Sequence, residues 1–334
     1  MVRFASSSTK TDLTLLTLAA GRPFAARVAT ALGTSLGDVE ERVFEDGEVK
    51  VRPLVEVRGQ DVAIVQSLDG DAHDRLIRVA MLVGAVRDAG AARIIGCFPY
   101  LAYARKDRRT KPRDPLALRY VAQMLEAVGL DTVMALEVHD LPAFENAFRI
   151  PSVPLDMRQL FVECLAPALD PASLVVVSPD PGGLKRAQLF QERLSERLDA
   201  QVPRVVADKR RTGGVVSGER LYGGDVAGLQ PIIVDDLISS GGTIQRTAKA
   251  LTEAGARPPI VAVAHGVFGK EAGATLGGAP IARLLVTDSI DPPRIDPRDM
   301  AALEVVSCAP LVAAALGCVL KGGSISRLLG DAEV

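Results

Sequence analysis

Short runs of valine, isoleucine and leucine recur along this chain with room for one helix between successive runs, and this alternation most restricts the folds open to it. In the first half DVAIVQSL (61–68), ARIIGCFPYL (92–101) and DTVMALEVH (131–139) read as strands. In the second, SLVVVSPD (173–180), RVVADK (204–209), PIIVDD (231–236), PIVAVAHGVF (259–268) and ARLLVTDS (282–289) do the same. Between them, Leu76, Val79, Val83 and Val86 mark one helix face, and Asp114 and Pro115 open a helix that Gly129 closes. Further helices are expected over Leu184–Leu198 and Thr243–Ala254. Strands that alternate with helices make parallel sheets covered on both faces. The expected class is α/β.

A chain of 334 residues, 48% hydrophobic, is long enough for two cores. The proline-rich IPSVP at 150–154 reads as the boundary, which gives domains over 11–150 and 151–334 that could be structural duplicates. The start, MVRFASSSTKTDLTLLTLAA, reads as a polar tail before a first strand, because Thr14 and Thr17 split its apolar stretch. Ser307, Pro310 and Gly317 interrupt the apolar Val305–Leu320, so no membrane span is expected. A net charge of −2 gives no general pull toward nucleic acid. The four cysteines, Cys97, Cys164, Cys308 and Cys318, lack the spacing of a zinc site or a disulfide framework and read as buried thiols in a reducing compartment. A cytoplasmic protein acting on a small phosphorylated ligand fits these features.

The strongest local signal is IIVDDLISSGGT, Ile232–Thr243. An apolar strand there runs through two carboxylates into a glycine turn and a helix whose inner face carries Ile244, Ala248 and Leu251. Ligands of open parallel sheets bind beyond the carboxyl ends of strands, where glycines let backbone N–H groups approach a phosphate and the helix dipole favours its charge. Gly241 and Gly242 suit that approach, and Ser239, Ser240 and Thr243 add hydroxyl donors. Asp235 and Asp236 suit the vicinal hydroxyls of a sugar, or a metal ion bridging them. The string resembles the phosphoribosyl pyrophosphate loop of phosphoribosyltransferases and phosphoribosyl pyrophosphate synthetases. Ser239 and Ser240 stand where the common form has Asp-Thr, so one acidic acceptor is lost and one hydroxyl kept.

Five more segments resemble the synthetases in particular. VFEDGEVKVRP is similar to their nucleotide-contacting hairpin, which implies that Phe44, Asp46, Gly47 and Glu48 contact the adenine and ribose of ATP, for a neighbouring subunit. Taken alone, EDG is a turn with flanking charges. PYLAYARKDRRTKPRDP resembles the family's PYxxYARxDR segment and assigns Arg105 and Lys106 to ATP, with Lys106 in place of the usual Gln. Six of the nine residues from Arg105 to Arg113 are basic, which alone would also suit a solvated loop or a nucleic-acid patch. LEVHD and SPDPGG match strand ends that imply magnesium-associated roles for His139 and Asp180. ADKRRTGGVVSGERLYGGDV is similar to the catalytic loop, which places Lys209 and Arg211 on the transferred group and leaves Gly213 and Gly214 as mobile positions.

The resemblance implies two phosphoribosyltransferase-like domains, each a mostly parallel sheet flanked by helices. It implies transfer of diphosphate from Mg2+-ATP to the anomeric hydroxyl of ribose 5-phosphate by a ribose-phosphate diphosphokinase, giving phosphoribosyl pyrophosphate and AMP. ATP and ribose 5-phosphate would be the partners, with neither nucleic acid nor membrane. An ATP site shared between subunits implies a dimer-based homo-oligomer, and the family's habit suggests a hexamer. Two alternatives stay open from sequence: a non-catalytic synthetase-like regulatory subunit, and a phosphoribosyltransferase.

Overall fold

The computed structural model describes residues 13–212, 215–291, 293–295, 300 and 302–330; the side chains of 209–212 and 215–219 lie outside that description. The chain divides into two compact units. One holds the described residues up to Asp156, Ser289–Asp291 and the segment from Cys308 onward, and the other holds Met157–Asp288 and the described part of 292–307.

The first unit begins with β1 (Leu13–Leu16), α1 (Arg22–Leu32) and an antiparallel hairpin of β2 (Val39–Val43) and β3 (Val49–Pro53). It continues through β4 (Asp61–Val65), α2 (Ala72–Asp88), β5 (Arg93–Phe98), α3 (Ala117–Ala127), β6 (Thr132–Leu136), α4 (Leu141–Ala147) and β7 (Ser152–Leu155). Its sheet runs β1-β4-β5-β6-β7 with every pair parallel. Both faces of such a sheet are covered, which is why β4 and β6 are apolar runs without alternation: all but Asp61 of β4 and all of β6 are buried. Leu76, Val79, Val83 and Val86 of α2 are buried in the same core, as their spacing predicts.

The second unit comprises α5 (Arg158–Leu165), β8 (Leu174–Ser178), α6 (Leu184–Leu198), β9 (Arg204–Thr212), β10 (Val215–Tyr222), β11 (Gln230–Ile238), α7 (Gly242–Glu253), β12 (Ile260–Gly266), α8 (Ala272–Gly277), β13 (Arg283–Thr287) and β14 (Leu303–Val306). The sheet order is β10-β9-β8-β11-β12-β13-β14, parallel except for the β9–β10 hairpin. Strand, helix, hairpin, strand, helix, strand, helix, strand is the order in both units, so the halves repeat one scheme. They differ at the hairpin, which pairs onto β8 in the second unit and stands as a separate two-stranded sheet in the first.

IPSVP leads through β7, whose hydrogen-bonded partner is β6, and the first unit's long segment ends just beyond it at Asp156; Pro154 is tolerated because β7 is an edge strand. Three expectations are corrected. Residues from Cys308 onward do not stay with the second half. α9 (Ala309–Lys321), apolar on most of its surface, packs against α1 and is followed by α10 (Ile325–Leu329), both in the first unit. The third helix starts at Ala117, because the Asp114 carboxylate is engaged earlier, accepting from Thr110 N at 3.1 Å and Lys111 N at 2.9 Å. Of the cysteines, Cys97 and Cys308 are buried, but Cys164 is exposed on the outer side of α5, whose Leu160, Phe161 and Leu165 face inward. None of the four forms a disulfide. No helix among the described residues is long and apolar enough to cross a membrane.

Candidate functional site

β11 is longer than PIIVDD suggests and carries both carboxylates within the strand, ending only at Ile238. Its ladder to β8 stops at Ile233, whereas its ladder to β12 continues to Ile238. Asp235 and Asp236 therefore lie beyond the last β8 pairing, on an edge left open for a ligand. The Asp236 N–H donates to Asp235 Oδ1 at 2.9 Å. Arg186, in the first turn of α6, reaches into the same place, with Nη1 3.6 Å from Asp235 Oδ1 and 3.9 Å from Asp236 Oδ1. Burial pushes the Asp235 carboxyl well above the usual carboxylate range; the Asp236 charge and side-chain hydrogen bond add to this, while Arg186 and the Asp236 backbone N–H oppose it.

The turn that follows is built for close backbone approach. Gly241 adopts φ +80°, and a Cβ there would lie 2.7 Å from Leu276 Cγ, so a side chain is excluded both by conformation and by space. Gly242 starts α7, and its N–H points to Ser240 Oγ at 3.5 Å. Thr243 Oγ1 accepts from Arg246 Nη2 at 3.3 Å. The loop after β12 braces the turn: Phe268 N–H donates to Ile238 O at 3.0 Å and Gly269 N–H to Ser239 O at 2.8 Å. A strand end, a glycine turn and the N–H groups of a helix's first turn thus converge, the arrangement that binds a phosphate. On the neighbouring strand, Asp180 caps the turn Pro181–Gly183 by accepting from Gly183 N at 3.1 Å, and that turn packs beside β11.

Sequence reasoning missed two parts of this site. Arg186 was legible in principle, since a cation in the first turn of a helix opposes the macrodipole and implies an anion nearby. The bracing by Phe268 and Gly269 had no sequence signal, because it consists of backbone hydrogen bonds. The expected side-chain roles of Lys209 and Arg211 and the positions Gly213 and Gly214 lie outside the described residues; the backbone of Lys209 and Arg211 belongs to β9, paired with β10.

In the first unit the hairpin turn from Phe44 to Glu48 is exposed. Gly47 takes φ +90°, Phe44 N–H donates to Glu48 O at 2.8 Å, and Asp46 Oδ1 accepts from Glu48 N at 3.0 Å. The Arg42 guanidinium lies 4.9 Å from the centroid of the Phe44 ring. Arg105 and Lys106 are exposed on the segment after β5, anchored by buried Leu101, Ala102 and Ala104. Tyr103, at φ +65°, turns the chain there and its hydroxyl is paired with His73 Nδ1. His139 is exposed beyond β6, just before Asp140, which caps α4 by accepting from Ala143 N at 2.8 Å. Within this unit, Arg105, Lys106 and His139 follow the carboxyl ends of adjacent strands.

Among the described residues no three His, Cys, Asp or Glu side chains gather as a ligand set for a metal. Asp180 is a carboxylate at a strand end, the donor type that magnesium takes alongside water and phosphates.

Two mostly parallel sheets with carboxyl-end sites, one carrying a sugar-phosphate type of turn, define a phosphoribosyltransferase-like α/β protein. Residues 13–129 match the family model described as the N-terminal domain of ribose phosphate pyrophosphokinase, and residues 216–330 match the phosphoribosyl synthetase-associated domain. The chain is 34% identical over 305 residues to a putative ribose-phosphate pyrophosphokinase of Enterococcus faecalis, covering 91% of each. It is also 34% identical to the ribose-phosphate pyrophosphokinase of Caldanaerobacter subterraneus, covering 91% of this chain and 93% of that one. The crystal structure of phosphoribosylpyrophosphate synthetase from Mycobacterium smegmatis superposes with a TM-score of 0.83 at 29% identity, covering 94% of this chain and 100% of that chain. The chain belongs to the ribose-phosphate pyrophosphokinase family, and is an enzyme of that family.

Proposed function

We propose that this enzyme transfers the β,γ-diphosphoryl group of ATP to the anomeric hydroxyl of ribose 5-phosphate. The observation that carries the reading is the β11–α7 junction, where two carboxylates precede a glycine turn and a helix N-terminus. In that reading Asp235 and Asp236 accept from the sugar's vicinal hydroxyls. Ser239, Ser240, Gly241, Gly242 and Thr243 hold its 5-phosphate through backbone N–H groups and hydroxyls.

The sugar's anomeric oxygen then attacks the β-phosphorus, its proton leaves, the bond from the β-phosphorus to the bridging oxygen breaks, and AMP departs with that oxygen. Such transfers need alignment and charge stabilisation more than covalent help. Lys209 and Arg211, on the β9–β10 hairpin, meet the charge of the transferred group. Phe44, Asp46, Gly47, Glu48, Arg105 and Lys106 hold ATP, so the first unit serves as the nucleotide domain and the second as the sugar-phosphate domain. Bound magnesium would neutralise phosphate charge beside Asp180 and His139. The hairpin's exposed turn suits donation to the ATP site of another copy, in a dimer-based homo-oligomer. A cytoplasmic setting, where ATP is abundant, fits this reading.

The test is AMP formation from ATP with and without ribose 5-phosphate. AMP that appears only with the sugar phosphate supports the reading. A phosphoribosyltransferase would show no ATP dependence, and a regulatory subunit would bind ligand without turnover; either result would sink it.

A further inference from the structure

Arg186 occupies an unusual place for a cation. It sits in the first turn of α6, where the helix dipole disfavours positive charge, and its side chain is only 15% exposed. Asp235 and Asp236 are 19% and 6% exposed at their side chains, and Arg186 Nη1 lies within 4 Å of a carboxylate oxygen of each. Two neighbouring carboxylates in so dry a place repel one another, and a cation between them is what lets both aim at one ligand. The short turn Pro181–Gly183 fixes where α6 begins, so the guanidinium is delivered by the β8 strand end.

We infer that Arg186 is a positioning residue of the sugar subsite, one that orients Asp235 and Asp236 toward the vicinal hydroxyls and thereby makes the enzyme discriminate ribose from 2-deoxyribose. This rests on the proposed sugar role of the two aspartates and extends it to a residue outside the loop. A phosphate-binding arginine would act differently, since it would serve both sugars equally. The geometry favours the diol, because the guanidinium faces the carboxylates.

The experiment compares wild type, Arg186→Gln and Arg186→Lys in the AMP-forming assay. It measures KM for ribose 5-phosphate, KM for ATP, and the inhibition constant of 2-deoxyribose 5-phosphate. The expected result for Arg186→Gln is a rise of about tenfold or more in KM for ribose 5-phosphate, with KM for ATP little changed. The inhibition constant of the deoxy sugar should barely move, so discrimination between the two sugars collapses, and Arg186→Lys should recover part of it. Equal losses for the two sugars, or unchanged discrimination, overturn the inference while an active wild type leaves the parent reading standing. A wild type without sugar-dependent AMP formation overturns both. If Arg186→Gln does not fold, Arg186→Met, which keeps the apolar stem, is read in its place by the same criteria.

Discussion

Burial in β11 and the neighbouring Asp236 carboxylate hold Asp235 protonated to higher pH than an unfolded chain would allow. Between the ordinary carboxylate value and the raised one, the folded state binds more protons than the unfolded state, so stability falls as pH rises through that window. Asp235→Asn removes this penalty. Its unfolding midpoint should exceed that of wild type near neutral pH, with the gap closing as pH approaches about 4, which thermal melts across pH would reveal. The same variant should weaken ribose 5-phosphate more than ATP, measured by binding of each alone; equal losses would count against the sugar role. Lys209→Ala should lower turnover about a hundredfold with little change in ribose 5-phosphate binding, and near-normal turnover would remove Lys209 from the mechanism. The loop residues were legible in sequence because strand, acids, glycines and helix are contiguous there. Arg186 was not found, because its partners lie on β11 and only folding brings them together.

At the scale of elements, the turn between β11 and α7 stands on two glycines with different tolerances. Gly241→Ala meets both positive φ and Leu276 Cγ at 2.7 Å, a strain of about 1–3 kcal/mol. Its melting temperature should fall by several degrees and its KM for ribose 5-phosphate should rise. Gly242→Ala, whose Cβ would meet the side-chain ends of Arg246 at 3.2 Å and Ser240 at 3.7 Å, without a positive φ, should be milder. A Gly241→Ala protein as stable as Gly242→Ala would contradict this account of the turn. The central strands were readable because parallel strands buried on both faces are unbroken apolar runs. The edge strand β7 was not, because Pro154 looks like a linker until β6 is seen beside it. The β14 edge strand, only four residues long, is interrupted by Glu304, which accepts from Arg283 Nε at 2.7 Å, so its apolar residues do not mark it as a strand either.

For the whole molecule, the unit assignment of the last helices matters most. Phe24, Ala25, Val28 and Ala29 of α1 are buried, and α9, with buried Leu311, Val312, Ala315 and Leu316, packs against that helix. Losing even one large side chain from such a seam costs about 2–5 kcal/mol. Ending the chain before Cys308 should therefore give a protein that aggregates or melts far below wild type, as light scattering and calorimetry would show. A soluble truncated chain with an unchanged first-unit transition would refute the packing argument. Sequence separation hid this arrangement, since nothing in the α9 segment says which of two cores it enters.

The return of α9 to α1 also sets an order of events at the ribosome. The first unit is begun before the second and completed after it, so α1 waits with its apolar stripe uncovered while all of the second unit is being made. Folding of the N-terminal half is thereby tied to synthesis of α9, and chains released before it carry an open seam that quality control can recognise.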